Sequence, residues 1–209
     1  MTASTIPAST SPASAQYTSD SDFQAAILNS TNTYRTQHNA TALVWNDTLA
    51  TYAATYATKC DWGHSHGPSG ENLAEDYANV TDAVDGWGDE REKYDFGNGG
   101  FSEATGHFTQ LVWKATTSVG CGRVDCDGKG GSAQGWFVVC EYWPAGNVEG
   151  QFAQEVGREI RTFTVKGGGE AAGYIKYLVN KVNGAGKRSW SGWGIWLVGL
   201  GILVGILPL

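Results

Sequence analysis

Four cysteines, Cys60, Cys121, Cys126 and Cys140, constrain this chain more than any other feature of its sequence. Their number is even and no two stand in a C-x-x-C spacing, so a zinc ribbon is a poor reading and two disulfides are the natural one, with buried thiols as the alternative. Cross-links spread from residue 60 to residue 140 would tie distant stretches into one unit and imply an oxidising compartment. Asn29, Asn39, Asn46 and Asn79 each open an N-x-[ST] sequon, which fits glycosylation on the same secretory route. The chain has 209 residues, 41% of them hydrophobic and 12% aromatic, enough to bury the core of one domain with extensions. Its net charge of -7 comes without a cluster of Lys and Arg, so nucleic acid is not an expected partner.

The two ends differ. Residues 1–20 are rich in Ser, Thr and Ala and lack both a basic start and an apolar run, so they read as a flexible leader and not as a signal peptide. From Gly192 to Leu209 every residue is apolar, Gly or Pro, about the lower limit for spanning a bilayer. Small residues at Asn183–Gly186 and a short spacer with Lys187 and Arg188 precede this run, which is the pattern of a GPI attachment signal; an ordinary tail anchor is the alternative. Residues 158–188 read as linker and spacer, and 189–209 as the hydrophobic tail. The expected location is the cell surface, the cell wall or the extracellular space, and a misassigned first exon would account for the missing signal peptide.

Between the ends, periodicity predicts a helix over about 21–37, from Phe23, Ile27, Leu28 and Tyr34. A second starts near Asn46 or Asp47, with Leu49, Tyr52, Ala53, Tyr56, Ala57 and Cys60 on one stripe. Thr81 can cap a third, carrying Ala83, Trp87 and Tyr94, and a short fourth covers Thr105 to Trp113. Residues 119–124 and 136–142 read as strands joined by the glycine-rich turn "CDGKGGSAQG". "GHSHGPSGENLA", Gly63 to Ala74, is too rich in Gly, Ser and Pro to be read as regular. Helices flanking an antiparallel sheet, an α+β arrangement, follow from this order.

Two charged residues break the pattern. His107 lies among the apolar residues of the fourth helix, and Glu90 fills the gap in the third helix's apolar stripe. A buried carboxylate is costly without a partner. The candidates are the histidines and Glu71 of the segment from Gly63 to Ala74.

These residues carry a family resemblance. "GHFTQLVWKAT" and "FVVCEYWPAGN" resemble the two signature motifs of the CAP superfamily of cysteine-rich secretory, venom-allergen and pathogenesis-related proteins; "HSHGPSGENLA" and "NTYRTQH" resemble two further motifs. The resemblance implies a CAP domain over 21–157, folded as a three-layer α/β/α sandwich with a central antiparallel sheet. It also implies a cavity tetrad of His64, Glu71, Glu90 and His107, with Ser65 and Asn72 beside it; His66 has no counterpart. A divalent ion, zinc or magnesium, would be held by His64 and His107. The chain departs from the family at Glu141, Gly88 and Thr31. By resemblance, Cys60 pairs with Cys126 and Cys121 with Cys140.

Tyr94, Phe96 and Phe101, in "YDFGNGGF", resemble the sterol-binding loop of fungal members; rings that simply complete the core are the alternative. Two functions compete. One is a surface protein, not an enzyme, that binds sterols, fatty acids or related small lipids. The other is a metal-dependent hydrolase or protease in which Glu71 or Glu90 activates water, against which stand the small number of imidazole ligands and the lack of H-E-x-x-H.

Overall fold

Asn46 shows how directly the local sequence dictates structure: its Oδ1 accepts from the backbone N–H of Thr48 and Leu49 and caps the helix that follows. The computed structural model describes residues 12–160, 193–196 and 205–208. Within the N-terminal unit the order is α1 (Ala15–Thr18), α2 (Asp20–Gln37), β1 (Val44–Trp45), α3 (Asp47–Ala57), β2 (Gly70–Ala74), α4 (Val80–Asp89), a 3-10 turn (Glu90–Lys93), α5 (Gly106–Leu111), β3 (Ser118–Asp125), β4 (Trp136–Trp143) and α6 (Phe152–Glu155).

The sheet runs β1-β3-β4-β2. β3 and β4 form the expected antiparallel hairpin, and β2 adds antiparallel to β4 with Glu71 opposite Glu141. The sheet is mixed, because β1 pairs parallel with β3 at Val44–Ser118 and Trp45–Val119. Alternation along the strands builds two cores. Val119, Cys121, Val138, Cys140 and Tyr142 join the larger core with residues of α1, α2, α4 and α5. Leu73, Phe137 and Val139 join Ala53 and Ala57 of α3 in the smaller one. Glycine decides how close α3 lies: a Cβ on Gly120 would meet the Asn46 carbonyl at 2.3 Å, and one on Gly122 the Ala54 amide at 2.2 Å.

Three boundaries differ from expectation. Asn79, not Thr81, caps α4, accepting from Asp82 N–H at 2.9 Å. Segment 70–74, expected to be irregular, is an edge strand, because β4 supplies partners that its own composition does not advertise. The leader ends earlier than residue 20: Tyr17 is buried, stacks on Trp136 at 4.7 Å, and its carbonyl accepts from Arg123 Nε.

Both disulfides form as the resemblance implied, Cys60–Cys126 and Cys121–Cys140, the latter between residues directly opposite on β3 and β4. In the C-terminal unit, 178–209, β5 (Trp193–Trp196) pairs antiparallel with β6 (Gly205–Pro208). The rest of the expected linker and tail, from residue 161, lies outside the described residues. Among the described residues no helix is long and apolar enough to cross a membrane.

Candidate functional site

The edge strand and the loop before it build one half of the site. Tyr56 of α3 donates to the Gly63 carbonyl at 2.7 Å and anchors the start of the loop. His64 then reaches Glu71 on β2, with Nδ1 2.7 Å from Oε1, and the same oxygen accepts from Ser65 N–H at 2.9 Å. A carboxylate only accepts, so Nδ1 carries the proton and Nε2 is the nitrogen left for a ligand. Glu71 is 6% exposed and His64 54% exposed, so the buried carboxylate holds an imidazole that solvent reaches. The bond to Glu71 raises the His64 pKa above 6.5.

The other half hangs on the junction of α4 and the 3-10 turn. Glu90 Oε2 accepts from the backbone N–H of His107 and Phe108, at 3.0 and 3.1 Å, and Oε1 accepts from His107 Nδ1 at 2.7 Å. One carboxylate thus satisfies amides at the start of α5 and orients its imidazole. Trp87 stacks on that ring at 6.2 Å, and Asn72 Nδ2 donates to the His107 carbonyl at 3.0 Å. The charge in the third helix's apolar stripe therefore has its partner in the histidine of the fourth.

Beside the first pair lies a cleft of about 240 Å³, lined by His64, Ser65, Ser69, Glu71, Gln110 and Asn147 among others. Gln110 is buried in its wall, accepting from Gly146 N–H and donating to Thr116 Oγ1. Asn147 accepts from the Thr109 hydroxyl and donates to the Gly106 carbonyl. Beneath the cleft, Glu141 is wholly buried on β4, opposite Glu71. Burial and the neighbouring Glu71 carboxylate push its carboxyl well above the usual range. Burial raises the Glu71 carboxyl, but the hydrogen bonds from the His64 ring and from Ser65 outweigh it and hold it well below the usual carboxylate range.

Residues 28–142 match the model of the CAP (cysteine-rich secretory protein) family, which is more than half of the chain. The chain belongs to the CAP family. Over 140 residues it is 49% identical to Protein PRY2 of Saccharomyces cerevisiae, covering 65% of this chain but only 41% of that protein. The structure of Schistosoma mansoni venom allergen-like protein 4 aligns with TM-score 0.50 at 26% identity, covering 65% of this chain and 93% of that one. The solved structure of NaASP2 with Zn2+ shares the fold, with TM-score 0.50 at 21% identity over 70% of this chain and 88% of that one.

The CAP domain brings the four tetrad residues together as two imidazole–carboxylate pairs. Among the described residues no three His, Cys, Asp or Glu side chains converge on a point that could hold a metal. Alternation gives the reason on one side: Glu71 points with Leu73 toward the α3 face, while Asn72 between them points the other way, to His107. A hydrolytic zinc centre needs three protein ligands and an open position, and this donor set does not fit one. The hydrolytic reading is therefore not carried further.

The aromatic segment also differs from expectation. Tyr94 is buried, and Phe96 packs edge-on to Tyr94 at 4.8 Å and to Phe108 at 6.1 Å, so two of the three rings complete the core. Phe101 alone stands out, 57% exposed, with its ring edge against Gly106. Two of the four sequon asparagines, Asn46 and Asn79, are helix caps; Asn29 and Asn39 are exposed. At Gly88 the departure from the family has a steric cause, since a Cβ there would meet the Tyr34 ring at 2.2 Å.

Sequence reasoning noted Glu141 only as a departure and missed its burial. The signal was present in "FVVCEYW": Phe137, Val139 and Glu141 share one strand face, which places a carboxyl in an apolar row.

Proposed function

We propose that this CAP domain is an extracellular protein that binds a sterol or a related small lipid at the aromatic segment, and that the polar cleft is a separate site. The observation that carries this reading is Phe101: a large ring, more than half exposed, whose edge lies against Gly106 at the start of α5. The flat apolar face of a sterol would cover that ring and gain from the area removed from water. The cleft is a poor alternative for a lipid, being smaller than the 300 Å³ or so at which ligand pockets commonly begin and lined mainly by polar groups and glycine. Membership of a family of secretory proteins and the two disulfides support the extracellular location. Glycans on the sequons, and attachment through the apolar C-terminal run as a GPI signal or tail anchor, belong to the same reading.

The test is binding of radiolabelled ergosterol and of labelled palmitate to the purified chain and to Phe101→Ala. Burial of one Phe side chain is worth about 1.5–3 kcal/mol, so the variant should bind at least about tenfold more weakly while unfolding at the same urea concentration. If Phe101→Ala binds both lipids as the parent does, the aromatic segment is not the lipid site.

A further inference from the structure

Among the described residues, the two imidazole–carboxylate couples leave a buried pair of carboxyl groups, Glu71 and Glu141, unexplained. They stand directly opposite on β2 and β4, where side chains lie about 5 Å apart. Glu141 is completely buried, and the Glu71 side chain nearly so. Glu71 Oε1 is engaged by His64 and Ser65, and Glu141 Oε2 accepts from the Ser69 hydroxyl. The remaining oxygens, Glu71 Oε2 and Glu141 Oε1, are both sealed from solvent and have no N–H or hydroxyl partner.

We propose that Glu141 is a positioning residue of the cleft: as a neutral acid it donates its proton to Glu71 Oε2 and so fixes the carboxylate that holds His64. Two orphaned oxygens on directly opposed residues are both satisfied by a single proton shared between them. Two ionised carboxylates cannot share a dry site. The donor count decides which of them keeps the proton. Glu71 receives two N–H donors on Oε1, which favour its anion, whereas Glu141 receives one hydroxyl. The raised pKa of Glu141 and the depressed pKa of Glu71 agree in direction. The chain Ser69–Glu141–Glu71–His64 thus runs from under the sheet edge to the cleft wall, and the residue that departs from the family motif is the one that completes it. The inference does not rest on lipid binding at the aromatic segment.

The test uses Glu141→Gln and Glu141→Leu in the full chain. Gln is neutral and keeps an N–H donor, whereas Leu has neither charge nor donor. Infrared spectra of the parent at neutral pH should contain a protonated-carboxyl band that Glu141→Gln removes. The titration midpoint of His64, followed by NMR, should be unchanged in Glu141→Gln and lower by about one pH unit in Glu141→Leu, because a Glu71 carboxylate that Glu141 no longer fixes turns away from His64 and the bond that raises its pKa is weakened. Three results would overturn the proposal: no such band in the parent, a His64 midpoint that falls as far in Gln as in Leu, or one that neither substitution moves. Should Glu141→Leu not fold, the infrared band and the Gln midpoint still decide.

Discussion

His38 closes α2 as a neutral imidazole in a place that has no room for a charged one. It is fully buried, with Nδ1 2.8 Å from the Gly157 carbonyl and Nε2 without a partner, and it lies between Phe96 and Phe108 at ring distances of 6.0 and 4.9 Å. Burial lowers its pKa below 6.5; the Gly157 carbonyl and Glu159 oppose the shift, and Arg91 adds to it. With the folded pKa below the unfolded one, the charged form belongs to the unfolded chain, so this contribution to stability is present above pH 6.5 and is lost as pH falls toward the folded value. His38→Asn keeps an N–H for Gly157 and cannot titrate. Its stability relative to the parent should therefore improve as pH falls from 7 to 5, measured as the urea midpoint at each pH. A constant difference across that range would mean that His38 is not the titrating group. Arg35, one turn earlier, meets burial by another route. Its guanidinium keeps its charge by donating to the carbonyls of Thr41, Leu111, Trp113 and Thr116, which binds α2 to the turn after α5.

At the scale of elements, the contact between α3 and β3 depends on the absence of two side chains. The atoms that a Cβ on Gly122 would strike belong to the backbone of Ala53 and Ala54, not to the end of a flexible side chain, so relief requires the helix to move. Gly122→Ala should cost about 1–3 kcal/mol in urea unfolding even though alanine suits a strand no worse than glycine does. A neutral result would mean that α3 can shift on the sheet. The same helix was the most legible element in the sequence, because its apolar stripe keeps one period for three turns and Asn46 caps it. β2 was illegible for the complementary reason. It buries two polar residues, Glu71 and Asn72, on opposite faces after a stretch rich in Gly and Ser, and only the hydrogen bonds of β4 make the segment a strand. The two-residue β1 is below the length at which alternation can be read.

For the whole molecule, the sequence was informative about which residues meet and less so about how. The motifs located His64, Glu71, Glu90 and His107, but their division into two pairs depends on side-chain alternation in β2, an element that composition had concealed. The aromatic triplet left two readings open, because spacing does not say which rings the core will take; it takes Tyr94 and most of Phe96. The disulfides, the first constraint visible in the chain, also rank its long-range cohesion. Cys60–Cys126 closes 66 residues and joins the end of α3 to the segment after β3, whereas Cys121–Cys140 closes 19 residues between strands that already pair. If restriction of the unfolded chain is the main effect, the loop-entropy relation gives about 4 kcal/mol for the first and about 3 kcal/mol for the second. All four cysteines are buried to a similar degree, so replacing either pair by alanine leaves comparable small gaps, and the difference should survive. The Cys60→Ala/Cys126→Ala variant should then unfold at a lower urea concentration than Cys121→Ala/Cys140→Ala. The opposite order would locate the stabilising effect in packing between β3 and β4, and would make the cross-strand bridge the principal fastening of the domain.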